Sequence, residues 1–149
     1  MKGDNSQFID REINTISHGE YGHVAIKILG GTLEALGVPD SGDKYPGVWL
    51  HAADKYDNNP NAEFVEIDLP NLAAAEVEAR RLIGTLYGYG DCVRGAIYET
   101  TGIRIPGNSI TADCSETVTR VVRAGEFSVL PNFYPDDITP NKLHRAIFY

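Results

Sequence analysis

Cys114 lies at the predicted start of a helix, in the segment Asp113-Cys114-Ser115-Glu116. Asp113 has the chemistry of an N-cap, and Glu116 follows three residues later, as in a capping box. Apolar residues then recur at helical spacing up to Gly125, which we expect to be the C′ glycine. Because the positive end of the helix dipole favours a thiolate in the first turn, the pattern predicts a nucleophile able to attack a carbonyl carbon.

A lone cysteine also suits a hydrophobic core, so the interpretation depends on its companions. Cysteine hydrolases need a histidine to move the proton and a third polar group to orient that histidine. His23 opens the first predicted strand and His51 lies near the end of the second. Adjacent antiparallel strands can bring two imidazoles together, and a helix packed with Cys114 above them would complete a Cys-His-His site.

The elements that must position these residues follow an α+β order, with strands first and helices after. β-Branched and alternating segments predict strands over 23–29, 48–52 and 63–69, arranged as an antiparallel meander. Residues 8–16 suit a short helix or strand, and the turn formers in 32–47 predict a loop. Helices are expected from Pro70 to just before Gly88, over about 91–100, from Cys114, and from Thr139-Pro140 onward.

Composition limits the classes of function. The 149 residues suit one domain, 1–149, and the net charge of −8 argues against a nucleic-acid binder. No apolar run is long enough for a membrane span. Because the first ten residues lack an apolar signal region, we expect synthesis in the cytoplasm, with any cell-wall access needing release or another export route. The two cysteines and four histidines show no zinc spacing, so no metal or cofactor is expected.

Three short motifs resemble the NlpC/P60 superfamily of papain-like hydrolases. They are Gly22-His23-Val24-Ala25-Ile26, Trp49-Leu50-His51-Ala52 and Asp113-Cys114-Ser115-Glu116-Thr117-Val118. The cysteine helix follows the strand motifs here, which resembles the circularly permuted branch of the superfamily. That branch includes the YiiX-like and the lecithin retinol acyltransferase-like proteins, and the C-S-E form is most similar to the YiiX-like group.

The resemblance implies a permuted papain-like fold and a cysteine peptidase or amidase. It implies Cys114 as nucleophile, His23 as general base and acid, and His51 as the orienting third residue. The implied substrates are peptide amides, most often of peptidoglycan. Two alternatives stay open: an acyltransferase or lipid esterase of the same fold, and a non-enzymatic binding protein.

Three other residues could in principle take part in the chemistry. Cys92 follows Gly90-Asp91 and is a second candidate nucleophile. His18 and His144 are interpreted as surface or capping histidines.

Overall fold

The structure is a computed structural model that describes residues 6–12, 22–105 and 110–149. The side chains of 6–12, Asp91, Cys92 and Ala96 are outside this description. The described residues form seven strands, four α-helices and one 3-10 helix. The strands are β1 Ser6–Glu12, β2 His23–Ile28, β3 Gly31–Leu36, β4 Gly47–His51, β5 Glu63–Asp68, β6 Leu86–Tyr87 and β7 Thr111–Ala112. The helices are α1 Leu72–Leu82, α2 Tyr89–Thr101, α3 Cys114–Ala124 and α4 Pro140–Phe148, with the 3-10 helix at Pro135–Asp137.

All seven strands belong to one sheet in the order β5-β1-β2-β3-β4-β6-β7. Every pairing is antiparallel except that of β6 with β7. The predicted α+β class is therefore confirmed. The predicted meander of 23–29, 48–52 and 63–69 was wrong in its pairing. β3 lies between β2 and β4, and β5 returns to the far edge and pairs with β1.

The prediction of a loop over 32–47 was wrong in its first part, because β3 occupies Gly31–Leu36. A tight turn at Leu29-Gly30 joins β2 to β3, and Ile28 pairs with Gly31 directly after it. The turn formers that suggested a loop begin only at Gly37. β3 places Glu34 in the middle of the sheet.

The hydrophobic core lies between one face of the sheet and the helices. Alternation along the strands directs Val24, Ile26 and Leu33 to this face, where they join Val118 and Val121 of α3 in one buried cluster. α3 packs against β2 and β3, and α1 packs against α3. The side chains at alternate positions, which include Glu34, therefore point to the opposite face.

α3 begins as predicted, with Asp113 as N-cap, but it ends differently. Gly125 is the C-cap with φ −76°, so it is not a left-handed C′ glycine, and Glu126 after it has φ +66°. A Cβ on Gly125 would lie 3.1 Å from both the Ala75 Cβ and the Leu69 Cδ2. Glycine is needed here because α1 approaches closely, and not because of the backbone angles.

The other predicted helices are present with shifted limits. α1 begins after the N-cap Asn71, so Pro70 precedes the helix instead of occupying its first turn. α2 spans Tyr89–Thr101 and is longer than expected. α4 begins at Pro140 with Thr139 as N-cap, which confirms that prediction. No helix among the described residues is long and apolar enough to cross a membrane.

Candidate active site

Cys114 is the first residue of α3 and is 4% exposed. Asp113 Oδ1 accepts a hydrogen bond of 2.7 Å from the Glu116 backbone N–H, which confirms the predicted cap. The Ser115 hydroxyl also contacts Asp113 Oδ1 at 3.0 Å, and it donates to the Ile138 carbonyl at 2.5 Å. These bonds anchor the first turn of α3 and so fix the backbone that carries the thiol.

His23 is the first residue of β2 and is hydrogen-bonded to a carboxylate. Its Nε2 lies 2.7 Å from Glu34 Oε2, on the neighbouring strand β3. Since an ionised carboxylate only accepts hydrogen bonds, this contact puts a proton on Nε2. Among the described residues Nδ1 has no hydrogen-bond partner, which leaves it able to exchange a proton with another group.

His51 lies on the other side of the same carboxylate. Its Nδ1 is 2.8 Å from Glu34 Oε1, and its Nε2 is 2.9 Å from Asp43 Oδ1. With a carboxylate at each nitrogen, both hydrogen bonds form only when the ring carries two protons. His51 is thus bonded to Glu34, and Glu34 is the group that orients His23.

Glu34 is fully buried and is the centre of the cluster. Besides the two histidines, it contacts Lys55 Nζ and accepts a hydrogen bond of 2.6 Å from the Tyr56 hydroxyl. Burial alone would raise the pKa of Glu34. The hydrogen bond and charge of His23, with the hydrogen bonds from Lys55 and Tyr56, outweigh that effect and lower the pKa to about 2. The carboxylate is therefore ionised at neutral pH.

Sequence reasoning missed Glu34 because the segment containing it was interpreted as a loop. Two signals could have identified it. Gly30-Gly31 directly after a β-branched run is typical of a hairpin turn. Glu34 also lies between the apolar residues Leu33 and Ala35, and such alternation of apolar and polar residues is typical of a strand.

The sheet topology brings Cys114 and His23 to the same end of the sheet. The hairpin closes at Ile28 and Gly31, so His23 and Leu36 lie at its open end. The strands that follow are paired at this same end. Leu36 of β3 pairs with Gly47 of β4, Gly47 pairs with Leu86 of β6, and Leu86 pairs with Thr111 of β7. Cys114 begins α3 directly after β7 and its cap. Because Val24 faces α3, alternation puts its neighbour His23 on the opposite face with Glu34. Cys114 and His23 therefore share an end of the sheet and not a face.

Comparisons with protein families, with curated proteins and with solved structures find no match for this chain. The likeness to the NlpC/P60 superfamily therefore rests on the short motifs around His23, His51 and Cys114.

Three side chains in the cluster could together hold a metal ion. One ligand atom each from Glu34, Asp40 and His51 lies within 4.8 Å of the others. The ammonium of Lys55 forms ion pairs with two of them, Glu34 and Asp40, and so lies between these two carboxylates.

The remaining candidates are away from this cluster or outside the description. The side chain of Cys92 and all of His18 lie outside the described residues. His144 was expected at the surface, but it is 6% exposed and its ring lies 4.4 Å from that of Phe148. The physical reason is that α4 turns this face toward the protein, and burial with the nearby Arg145 lowers the pKa of His144.

Proposed function

We propose that this chain is a cysteine hydrolase that cleaves an amide bond through a thioacyl-enzyme, within a permuted papain-like fold. Cys114 is the nucleophile and His23 the general base and acid. Glu34 orients His23, and His51 supports Glu34 from its other oxygen. This assignment keeps the two residues expected to do the chemistry and gives the orienting role to the carboxylate between the histidines.

The observation that carries the proposal is the 2.7 Å contact between His23 Nε2 and Glu34 Oε2. A base that serves a nucleophile must be held by a third group through the nitrogen that does not face the nucleophile. Glu34 holds Nε2, and we propose that Nδ1 serves the thiol. The histidine and the start of α3 also lie at the same end of the sheet.

The reaction follows from this arrangement. Nδ1 of His23 takes the thiol proton, and the Cys114 sulfur attacks the carbonyl carbon. In this proposal the Cys114 backbone N–H, at the N-terminus of α3, stabilises the oxyanion. Collapse of the tetrahedral intermediate expels the amine with the proton from His23. Water, activated by the same imidazole, then hydrolyses the thioester and restores the thiol.

The proposed substrate is a peptide amide, with peptidoglycan fragments as the first class to test, because of the motif resemblance. A second candidate is an acyltransferase or lipid esterase. One observation favours it: large apolar side chains are exposed around the same end of the sheet, namely Val38, Leu86, Tyr89 and Ile110, all at least 48% exposed. An apolar acyl chain would bury such surface.

The test is hydrolysis of peptidoglycan fragments and of lipid esters by wild type, Cys114→Ala and Cys92→Ala. We expect Cys114→Ala to lose at least about a thousandfold in rate on one substrate class, because the covalent step disappears. Cys92→Ala is the matched control and should keep the wild-type rate. Native-rate turnover by Cys114→Ala would reject the proposal, and the class of substrate cleaved would separate the amidase from the lipid enzyme.

A further inference from the structure

Lys55 joins two carboxylates that come from different parts of the chain. It lies in the turn after β4, and its Nζ contacts Glu34 Oε1 in the sheet. Its Nζ is also 2.6 Å from Asp40 Oδ2, in the connection between β3 and β4. The side chain is 22% exposed, whereas Glu34 is fully buried. Glu34 contacts both Lys55 and His23, so this carboxylate links the ammonium to the imidazole.

A buried carboxylate needs compensation because desolvation disfavours its charge. Two of the groups around Glu34 are imidazoles, and the third is the Tyr56 hydroxyl. Among the described residues that contact Glu34, Lys55 is the one whose side chain is an ammonium. Burial lowers the pKa of Lys55, but the hydrogen bonds and charges of Asp40 and Glu34 raise it by more, so the ammonium persists while His23 cycles between its two forms.

We infer that Lys55 is a positioning residue, which holds the Glu34 carboxylate directed at His23 throughout the catalytic cycle. It takes the place that a metal ion would have between Glu34 and Asp40. Lys55 also binds the β3–β4 connection through Asp40. A second contact, between Asp43 and His51, holds the same connection. The inference rests on the proposed function for its catalytic consequence, but the coupling between Lys55 and Glu34 can be tested without catalysis.

The experiment compares Lys55→Met, Lys55→Arg and Lys27→Met in the full chain. Lys27 is the matched control because it lies on the same sheet face but is paired with Asp57 and not with Glu34. Carboxyl-carbon NMR on glutamate-labelled protein follows Glu34 with pH. In wild type and Lys27→Met we expect Glu34 to stay ionised down to about pH 3, whereas in Lys55→Met its titration midpoint should rise above about 4. Lys55→Arg should restore most of the wild-type titration.

The kinetic measurement determines kcat and KM for hydrolysis separately. Lys55→Met should reduce kcat roughly ten- to a hundredfold with KM nearly unchanged, because a misdirected base affects the chemical step and not binding. If Lys55→Met does not fold, Lys55→Gln replaces it. An unchanged Glu34 titration in the Lys55 variant overturns the inference. A wild-type protein without Cys114-dependent turnover would reject the proposed function instead, and the Glu34 titration would still decide the role of Lys55.

Discussion

Two buried glutamates near the candidate site have different surroundings, which shift their pKa values in opposite directions. Glu34 is bonded to two histidines, a lysine and a tyrosine, which keep its charge stable. Glu116 is equally buried in α3, and its principal charged partner is Arg120 at 2.6 Å. Burial raises the pKa of Glu116 to about 7, aided by the nearby charges of Asp113 and Asp136, and the attraction of Arg120 only partly offsets this. Environment, and not residue type, decides which carboxylate stays charged.

This raised pKa gives a pH dependence of stability with a definite sign. Because the folded-state pKa of Glu116 exceeds its unfolded value of 4.5, its contribution is fully present below pH 4.5 and is lost as pH rises through about 7. Glu116→Gln should therefore match wild type near pH 5 and be more stable near pH 8, by up to about 3 kcal/mol. Urea unfolding at the two pH values measures the difference.

The control for this prediction is Glu78→Gln, which removes a glutamate paired with Arg81 on the surface of α1. It should change the free energy of unfolding little at either pH, since exposed ion pairs contribute little. A Glu116→Gln protein that loses the same stability at pH 5 and pH 8 would show that the carboxylate does not titrate between them.

At the scale of elements, the contact between the end of α3 and the start of α1 holds the cysteine helix on the sheet. The Gly125 carbonyl accepts a hydrogen bond of 3.0 Å from the Asn71 backbone N–H, and Asn71 is also the N-cap of α1. α3 is therefore fixed at its first turn by Asp113 and Ser115 and at its last turn by α1. A helix fixed at both ends keeps the position of Cys114 constant.

We predict that Gly125→Ala destabilises the protein by roughly 1–3 kcal/mol, because the added methyl overpacks against Leu69 and Ala75. Thermal or urea unfolding measures this. Gly95→Ala is the matched control. Gly95 lies inside α2, and a Cβ there would meet Thr139 Cγ2 at 3.5 Å and backbone atoms of Asp136 and Asp137 at 3.8 and 3.9 Å, which are ordinary contact distances. There the same substitution should stabilise by about 0.5–1 kcal/mol, since alanine favours a helix. Equal effects at the two positions would contradict the close-approach explanation.

The sequence predicted the elements with strong local signals and missed those defined by long-range packing. The cap at Asp113, the cap-proline pair at Thr139-Pro140 and the strand from His23 are short patterns with local causes, and all three are present. The strand around Glu34 has a weaker local signal, because its polar residues Thr32 and Glu34 are buried through contacts with distant segments such as that around Tyr56. The need for glycine at position 125 likewise depends on packing against Leu69 and Ala75, which lie much earlier in the chain.

At the scale of the whole molecule, the fold brings side chains from distant segments together around Glu34. β2 supplies His23, β3 supplies Glu34 and β4 supplies His51, while β7 leads into Cys114 at the start of α3. The α+β class was predictable from the order of strands and helices. The positions of His23, His51 and Cys114 at the ends of strands or helices were also predictable. The return of β5 to β1 and the pairing of β6 with β7 join residues far apart in the chain, which no local pattern reveals.

The central claim is that Cys114 is an activated thiol served by His23. The most direct measurement is the rate of alkylation of each cysteine by iodoacetamide near neutral pH, resolved by mass spectrometry. In folded wild type we predict that Cys114 reacts faster than Cys92, and that His23→Gln slows Cys114 by at least about tenfold without changing Cys92. A Cys114 that stays unmodified while Cys92 reacts, or that reacts at the same rate without His23, would contradict the account.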